Sequence, residues 1–303
     1  ILDKISSIFK EIIKFGICET IMTNEQIKIE ADYFFNNNII IRENKIKTQP
    51  YNKSIQEKPF AIVMVGGPAS GKTTGQKETI KSLLGITDLK DPKNNFIIID
   101  PDKILMKYFN KNNMCRQYIN KINDLTFDMA INMKYNVILD GTGRNYKWIR
   151  FNIISRLYKL GFNTVLCIVN VDKNIAINRE HRRFIKTQRK VQSKYLSNTY
   201  NSLKKIIPKY LNIPSEKLWG LYVYDNNENK NNNPNKKTIK CIIEEKNIKN
   251  TSLFVSTYQK YLNTQQNIKI GGGNVKYKIL FNYITKKNNY KKYYKYFYNN
   301  IYI

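Results

Sequence analysis

Residues 60–74 read FAIVMVGGPASGKTT. The first six, Phe60 to Val65, are apolar without a break. Such a run suits a parallel strand covered on both faces. The next eight, Gly66, Gly67, Pro68, Ala69, Ser70, Gly71, Lys72 and Thr73, satisfy GxxxxGK[ST] and open a helical pattern that ends at Gly85. Strand, glycine-rich turn and helix start are the context in which this motif cradles phosphates. Glycines let successive N–H groups turn toward phosphate oxygens, and the helix N-terminus adds partial positive charge. Lys72 reaches the β- and γ-phosphates, and the Thr73 hydroxyl is offered to Mg²⁺.

Outward from this loop, strand and helix patterns alternate. Phe96–Ile99, Val137–Leu139, Thr164–Val169 and Leu221–Tyr224 read as buried strands. Helical patterns cover roughly 103–109, 114–133, 146–160, 173–186 and 193–207, and residues 238–243 suit a returning strand. The alternation predicts an α/β fold: a P-loop NTPase core whose parallel β-sheet is flanked by helices. An apolar stripe through Ile1, Ile5, Ile8 and Ile12 makes residues 1–30 an amphipathic helix that packs on its own domain. Residues 43–59 read as a loop and 226–237 as a low-complexity one. After Lys249 the rhythm fades: a helix fits 253–262, a strand 275–283, and Lys alternates with Tyr from 286. Three segments result: an N-terminal helical arm (1–56), the P-loop domain (57–247) and a basic Lys/Tyr-rich C-terminal extension (248–303).

Composition sets limits. Lys and Arg number 52 against 23 Asp and Glu, a net charge of +29. That balance fits a polyanionic partner. Lys, Asn, Ile and Tyr are abundant together, however, and all have A/T-only codons, so an AT-rich genome such as that of a large DNA virus raises the charge without selection for binding. No apolar run is long enough for a membrane helix, so no membrane partner is expected. One histidine, His181, rules out a multi-histidine metal site. Four scattered cysteines argue against a disulfide scaffold or a zinc site and point to a reducing, cytoplasmic compartment.

Ligands of an open parallel sheet bind beyond the carboxyl ends of its strands. Asp100, Asp102 and Asp140 all stand there. Three carboxylates together repel unless Mg²⁺ or arginine offsets them. Asp102 suits either a helix cap in Asp-Pro-Asp or a base that takes a proton from an acceptor hydroxyl. Asp100 and Asp140 suit metal-bound water or substrate. Arg179, Arg182, Arg183 and Arg189 follow the fourth strand and suit a lid that closes over the γ-phosphate.

The constellation resembles the zeta-toxin family of P-loop kinases. GGPASGKTT at 66–74, IIIDPDKIL at 97–105, VILDGTGRN at 137–145, NREHRRFIKTQRKV at 178–191 and LYVYDNN at 221–227 follow that family's order over about 60–245. The resemblance implies ATP and Mg²⁺ as cofactors. Gly66 to Thr74 bind nucleotide, with Thr73 and Asp100 at the metal. Asp102 is the base, and Lys72, Arg179 and Arg189 hold the phosphates. Asp140, Thr142 and Arg144 face the acceptor. Two departures stand out: Asp140 replaces the Glu common in the family, and Arg183 rivals Arg189. The family's toxins phosphorylate UDP-N-acetylglucosamine. The expected activity is transfer of the γ-phosphoryl group to a hydroxyl of a small-molecule or nucleotide-sugar acceptor, with an inhibitor protein as a further partner. A 5′-hydroxyl polynucleotide kinase, or a nucleic-acid-binding protein that only keeps a P-loop shape, are the alternatives, with nucleic acid as partner.

Overall fold

The computed structural model describes residues 22–41, 46–47, 58–89, 95–108, 115–187, 191–227, 239–246, 248 and 252–269. Two compact units divide the chain between Tyr258 and Gln259. Helix α1 (Asn24–Ile39) opens the first, followed by a two-stranded antiparallel ribbon of β1 (Ile40–Ile41) and β2 (Ile46–Lys47). The expected helix at 1–30 lies mostly outside the described residues. Within them the helix runs further, because Ile27, Ala31 and Phe35 continue a buried stripe.

Five parallel strands and one antiparallel strand form a single sheet. The strands are β3 (Phe60–Val65), β4 (Ile97–Ile99), β5 (Val137–Leu139), β6 (Asn163–Asn170), β7 (Gly220–Asp225) and β8 (Lys240–Lys246), in the order β4-β5-β3-β6-β7-β8. The expected α/β core is therefore present. Central β3 and β6 are buried almost throughout, as continuous apolar runs demand. Edge strand β8 is mostly exposed and pairs antiparallel to β7, with a register shift at Val223/Tyr224. Its charged sequence, KCIIEEK, suits a sheet edge open to water.

Helices α2 (Lys72–Leu84), α3 (Pro101–Tyr108) and α4 (Arg116–Asn132) connect the first strands. α4 packs on α1 through Ile119 and Ile122, which join Ile27, Ala31, Ile104 and Leu105 in one apolar cluster. The helix expected at 146–160 is interrupted. α5 (Tyr146–Trp148) passes into a π-helical stretch, Ile149–Ile154, and then α6 (Ser155–Lys159). Arg150 lies over the rings of Tyr146 and Phe151 there. α7 (Lys173–Thr187) and α8 (Ser193–Leu211) follow β6, and α9 (Ser252–Lys269) follows β8.

Cys167 is a buried free thiol and Cys241 an exposed one. Cys115 is buried at the N-terminal end of α4. No helix among the described residues is long and apolar enough to cross a membrane. The expected strand at 275–283 and the Lys/Tyr tail from 286 lie outside the described residues.

Candidate active site

The loop between β3 and α2 is built by backbone shape. Ala69 and Gly71 both adopt positive φ, 58° and 89°. At Gly71 a Cβ would lie 1.9 Å from Asn226 Nδ2, so strain and crowding both demand glycine there. Asn226, just past β7, donates to the Ser70 carbonyl at 2.7 Å and so ties the loop to the far half of the sheet. Tyr200 of α8 donates to the Pro68 carbonyl at 2.8 Å. The Gly66 N–H donates to the Thr142 carbonyl at 3.2 Å, joining the loop to the segment after β5. No side chain caps the start of α2, and the buried Ser70 hydroxyl has no hydrogen-bond partner. A helix N-terminus with uncapped donors suits an anion.

The strand-end carboxylates meet this loop at a cleft of about 290 Å³, lined by Pro68, Ala69, Lys72, Asp100, Asp102, Asp140 and Thr142. Sequence alone left Asp102 as either cap or base. In the fold Asp100 is the cap: its Oδ1 accepts from the Asp102 N–H at 2.9 Å, with Pro101 at the first helical position. The Asp102 carboxylate is thereby left to the cleft, where Arg116 of α4 stands 3.8 Å away.

Asp140 is the strained member. Its Oδ1 is buried without a hydrogen bond, and the Lys72 ammonium sits 3.8 Å off. Burial, opposed by Lys72, pushes its carboxyl up to about 6. Burial and then the Asp102 charge raise Asp100 as well. Lys72 Nζ meanwhile donates to the Gly66 carbonyl at 3.2 Å.

A pH prediction follows with a definite sign. Between the ordinary carboxyl range and about 6, folded Asp140 holds a proton that the unfolded chain has released. Stability therefore falls as pH rises through that window. Asp140→Asn removes the penalty. It is expected to stabilise the nucleotide-free protein by about 1–3 kcal/mol at pH 7.5 and by little below pH 4. Melting both proteins across pH in a chelator checks this; parallel curves would count against it.

The segment after β5 is locked from below. Gly143 has φ 68°, a Cβ there would lie 2.7 Å from Val65, and its carbonyl accepts from the buried Tyr210 hydroxyl at 2.6 Å. Arg144 is exposed and lies over the Tyr195 ring at 5.4 Å; Tyr195 itself lines the cleft. Thr73 and Thr74 are exposed on the first turn of α2.

The arginines divide. Arg179 donates to the Asn226 carbonyl at 2.8 Å, while Arg183, one turn along α7, lines the cleft. Arg189 lies outside the described residues. Exposed His181 does not line the cleft. Sequence reasoning missed Arg116, Gln192, Tyr195, Tyr200 and Asn226. Arg116, Gln192, Tyr195 and Tyr200 belong to no motif; Asn226 stood in the segment LYVYDNN, where its low-complexity surroundings masked it.

Among the described residues no group of three or more His, Cys, Asp and Glu side chains is arranged to hold a metal ion. Asp100 lines the cleft, whereas Thr73 is not among its lining residues, so the fit to Mg²⁺ rests on donor chemistry. The Thr73 hydroxyl and the Asp100 carboxyl are hard donors, and raised carboxyls are what a divalent cation restores to the ionised form.

A family model for zeta toxin matches residues 42–231. No curated protein matches the chain. Several solved structures resemble the chain at low identity. One, from the PezAT chromosomal toxin–antitoxin system of Streptococcus pneumoniae, is 14% identical, with 78% of this chain and 86% of that chain covered and a TM-score of 0.48. The AvrRxo1-ORF1:-ORF2 structure with ATP is 12% identical, with 76% and 71% covered and a TM-score of 0.50. The Pnkp1/Rnl/Hen1 RNA repair complex is 17% identical, with 52% and 49% covered and a TM-score of 0.39.

Proposed function

The chain belongs to the zeta toxin family, and from that premise we propose that it transfers the γ-phosphoryl group of ATP to a hydroxyl of a small-molecule or nucleotide-sugar acceptor. The carrying observation is that the phosphate-loop lysine, Lys72, and the Asp102 carboxylate, relieved of capping by Asp100, open onto one cleft. ATP as the nucleotide is supported by the family and by the ATP of the AvrRxo1 structure.

The residues divide the work as follows. The loop from Gly66 to Thr74 wraps the phosphates, and backbone N–H groups at its helix end meet their oxygens. Lys72 exchanges its two weak contacts, with Gly66 and Asp140, for the phosphate oxygens. Thr73 and Asp100 would hold Mg²⁺. When bound, the ion neutralises charge on the phosphates. Asp102 orients the acceptor hydroxyl and takes its proton as the new P–O bond forms. Arg183 faces the transferring group, and Arg189 is the second phosphate-binding arginine that the family pattern implies. Arg179 braces the lid helix against the segment after β7. Asp140, Thr142 and Arg144 flank the acceptor. An inhibitor protein as partner is supported by the toxin–antitoxin setting of the PezAT relative.

One observation favours a second reading. Tyr195 lines the cleft with Arg144 over its ring. A tyrosine at the mouth of a site in a chain of net charge +29 can stack a base of a single strand. The test is labelled γ-phosphate transfer from Mg-ATP to UDP-N-acetylglucosamine and, in parallel, to a 5′-hydroxyl oligonucleotide at two salt concentrations. Label on the sugar nucleotide supports the first reading. Salt-sensitive label on the oligonucleotide supports the second. A protein that binds no ATP refutes both.

A further inference from the structure

Helix α7 carries a single carboxylate, Glu180, in a run of cations: Lys173, Arg179, Arg182, Arg183 and Lys186. That carboxylate is the buried one. Glu180 is 5% exposed, whereas its neighbours His181 and Arg182 face solvent. A buried carboxylate is costly unless paired, and the geometry supplies the pair. Arg183, one turn on, brings Nη2 to 2.8 Å from Oε2 and 3.0 Å from Oε1. The Arg183 side chain stays 35% exposed and lines the cleft with Lys72, Asp102 and Asp140. Glu180 is also close enough to Tyr200, the residue that holds the Pro68 carbonyl, for its charge to act on that phenol. It thus stands at the junction of α7, α8 and the phosphate loop.

Resting on the kinase reading above, we infer that Glu180 is a positioning residue: its buried carboxylate fixes the Arg183 guanidinium over the cleft, ready for the charge of the transferring phosphoryl group. A long arginine left free must be ordered at the moment of reaction. One clamped by a carboxylate that water cannot reach is already oriented, and preorganised donors favour the transition state over the ground state. The competing role is structural: Arg183 would only neutralise Glu180 so that α7 can dock.

Binding of two probes to the full chain separates these roles. Mg-ADP reports the ground state, and Mg-ADP with aluminium fluoride mimics the transferring phosphoryl group. Glu180→Gln keeps shape and one acceptor but removes the charge. Expected is about tenfold weaker binding of the fluoride complex, with Mg-ADP changed less than about twofold. Arg183→Gln should give the same selective loss of the fluoride complex, together with a lowered thermal midpoint because it leaves the buried Glu180 carboxylate unpaired. The double variant should lose no more than either single one, because Glu180 acts through Arg183. Thermal midpoints give the control: a neutral amide in place of a buried charge should not lower that of Glu180→Gln. Equal losses for both probes, additive losses in the double variant, or a lowered midpoint with unchanged probe selectivity would overturn the inference alone. Failure of the unmodified chain to bind either probe would overturn the kinase reading, and this inference with it.

Discussion

Lys72→Ala is expected to reduce phosphoryl transfer by about 10³-fold and to weaken Mg-ATP binding with it. Two effects combine. The first is loss of the ammonium at the first residue of α2, which the proposed mechanism directs at the β- and γ-phosphates. The second comes from the carboxylates: Lys72 is a cation that lowers the pKa of both Asp100 and Asp140. Without it the cleft presents Asp100, Asp102 and Asp140 to an incoming polyanion. Lys72→Arg should rescue little, since a planar fork does not fit the space between the Gly66 carbonyl and Asp140 that one ammonium occupies. Titration calorimetry with Mg-ATP and a labelled-phosphate assay measure the two losses. A Lys72→Ala protein that kept a tenth of its turnover would contradict the assignment.

The second large effect is expected from Asp102→Asn: transfer falls by about 10²–10⁴-fold, as for removal of a general base. Mg-ATP affinity should stay within about twofold, because Asp100 and not Asp102 caps α3 and the helix start therefore survives. The split between lost turnover and kept affinity is the readout. If affinity, melting temperature and turnover dropped together, Asp102 would be a structural residue.

Much of the core was legible along the chain. FAIVMV has no polar face and so must be covered on both sides, which marked β3 as a buried parallel strand, and the fold sets it inside the sheet. The Asp tips of the next strands followed from the same logic, since each apolar run simply ends at a carboxylate. The helix from 146 was legible only in outline. A π-helical stretch shifts the register by about one residue, too little to break an apolar pattern. The antiparallel pairing of β8 was not legible either, because strand direction depends on the path of the connecting chain.

The site divides along the same line. The glycine-rich loop, its lysine and the strand-end carboxylates were legible locally, because backbone shape and short motifs depend on near neighbours. That Asp100 caps α3, that Asp102 lines the cleft and that Arg183 rather than Arg179 lines it came only from the fold. It also brought Arg116, Tyr195, Tyr200 and Asn226 to a loop as many as 156 residues away in the chain. The physical reason is one of range. Backbone conformation and apolar periodicity are set by neighbours within a few positions. The direction of a long charged side chain is set by whichever carboxylate, carbonyl or ring the folded chain places beside it, as the buried Glu180 does for Arg183.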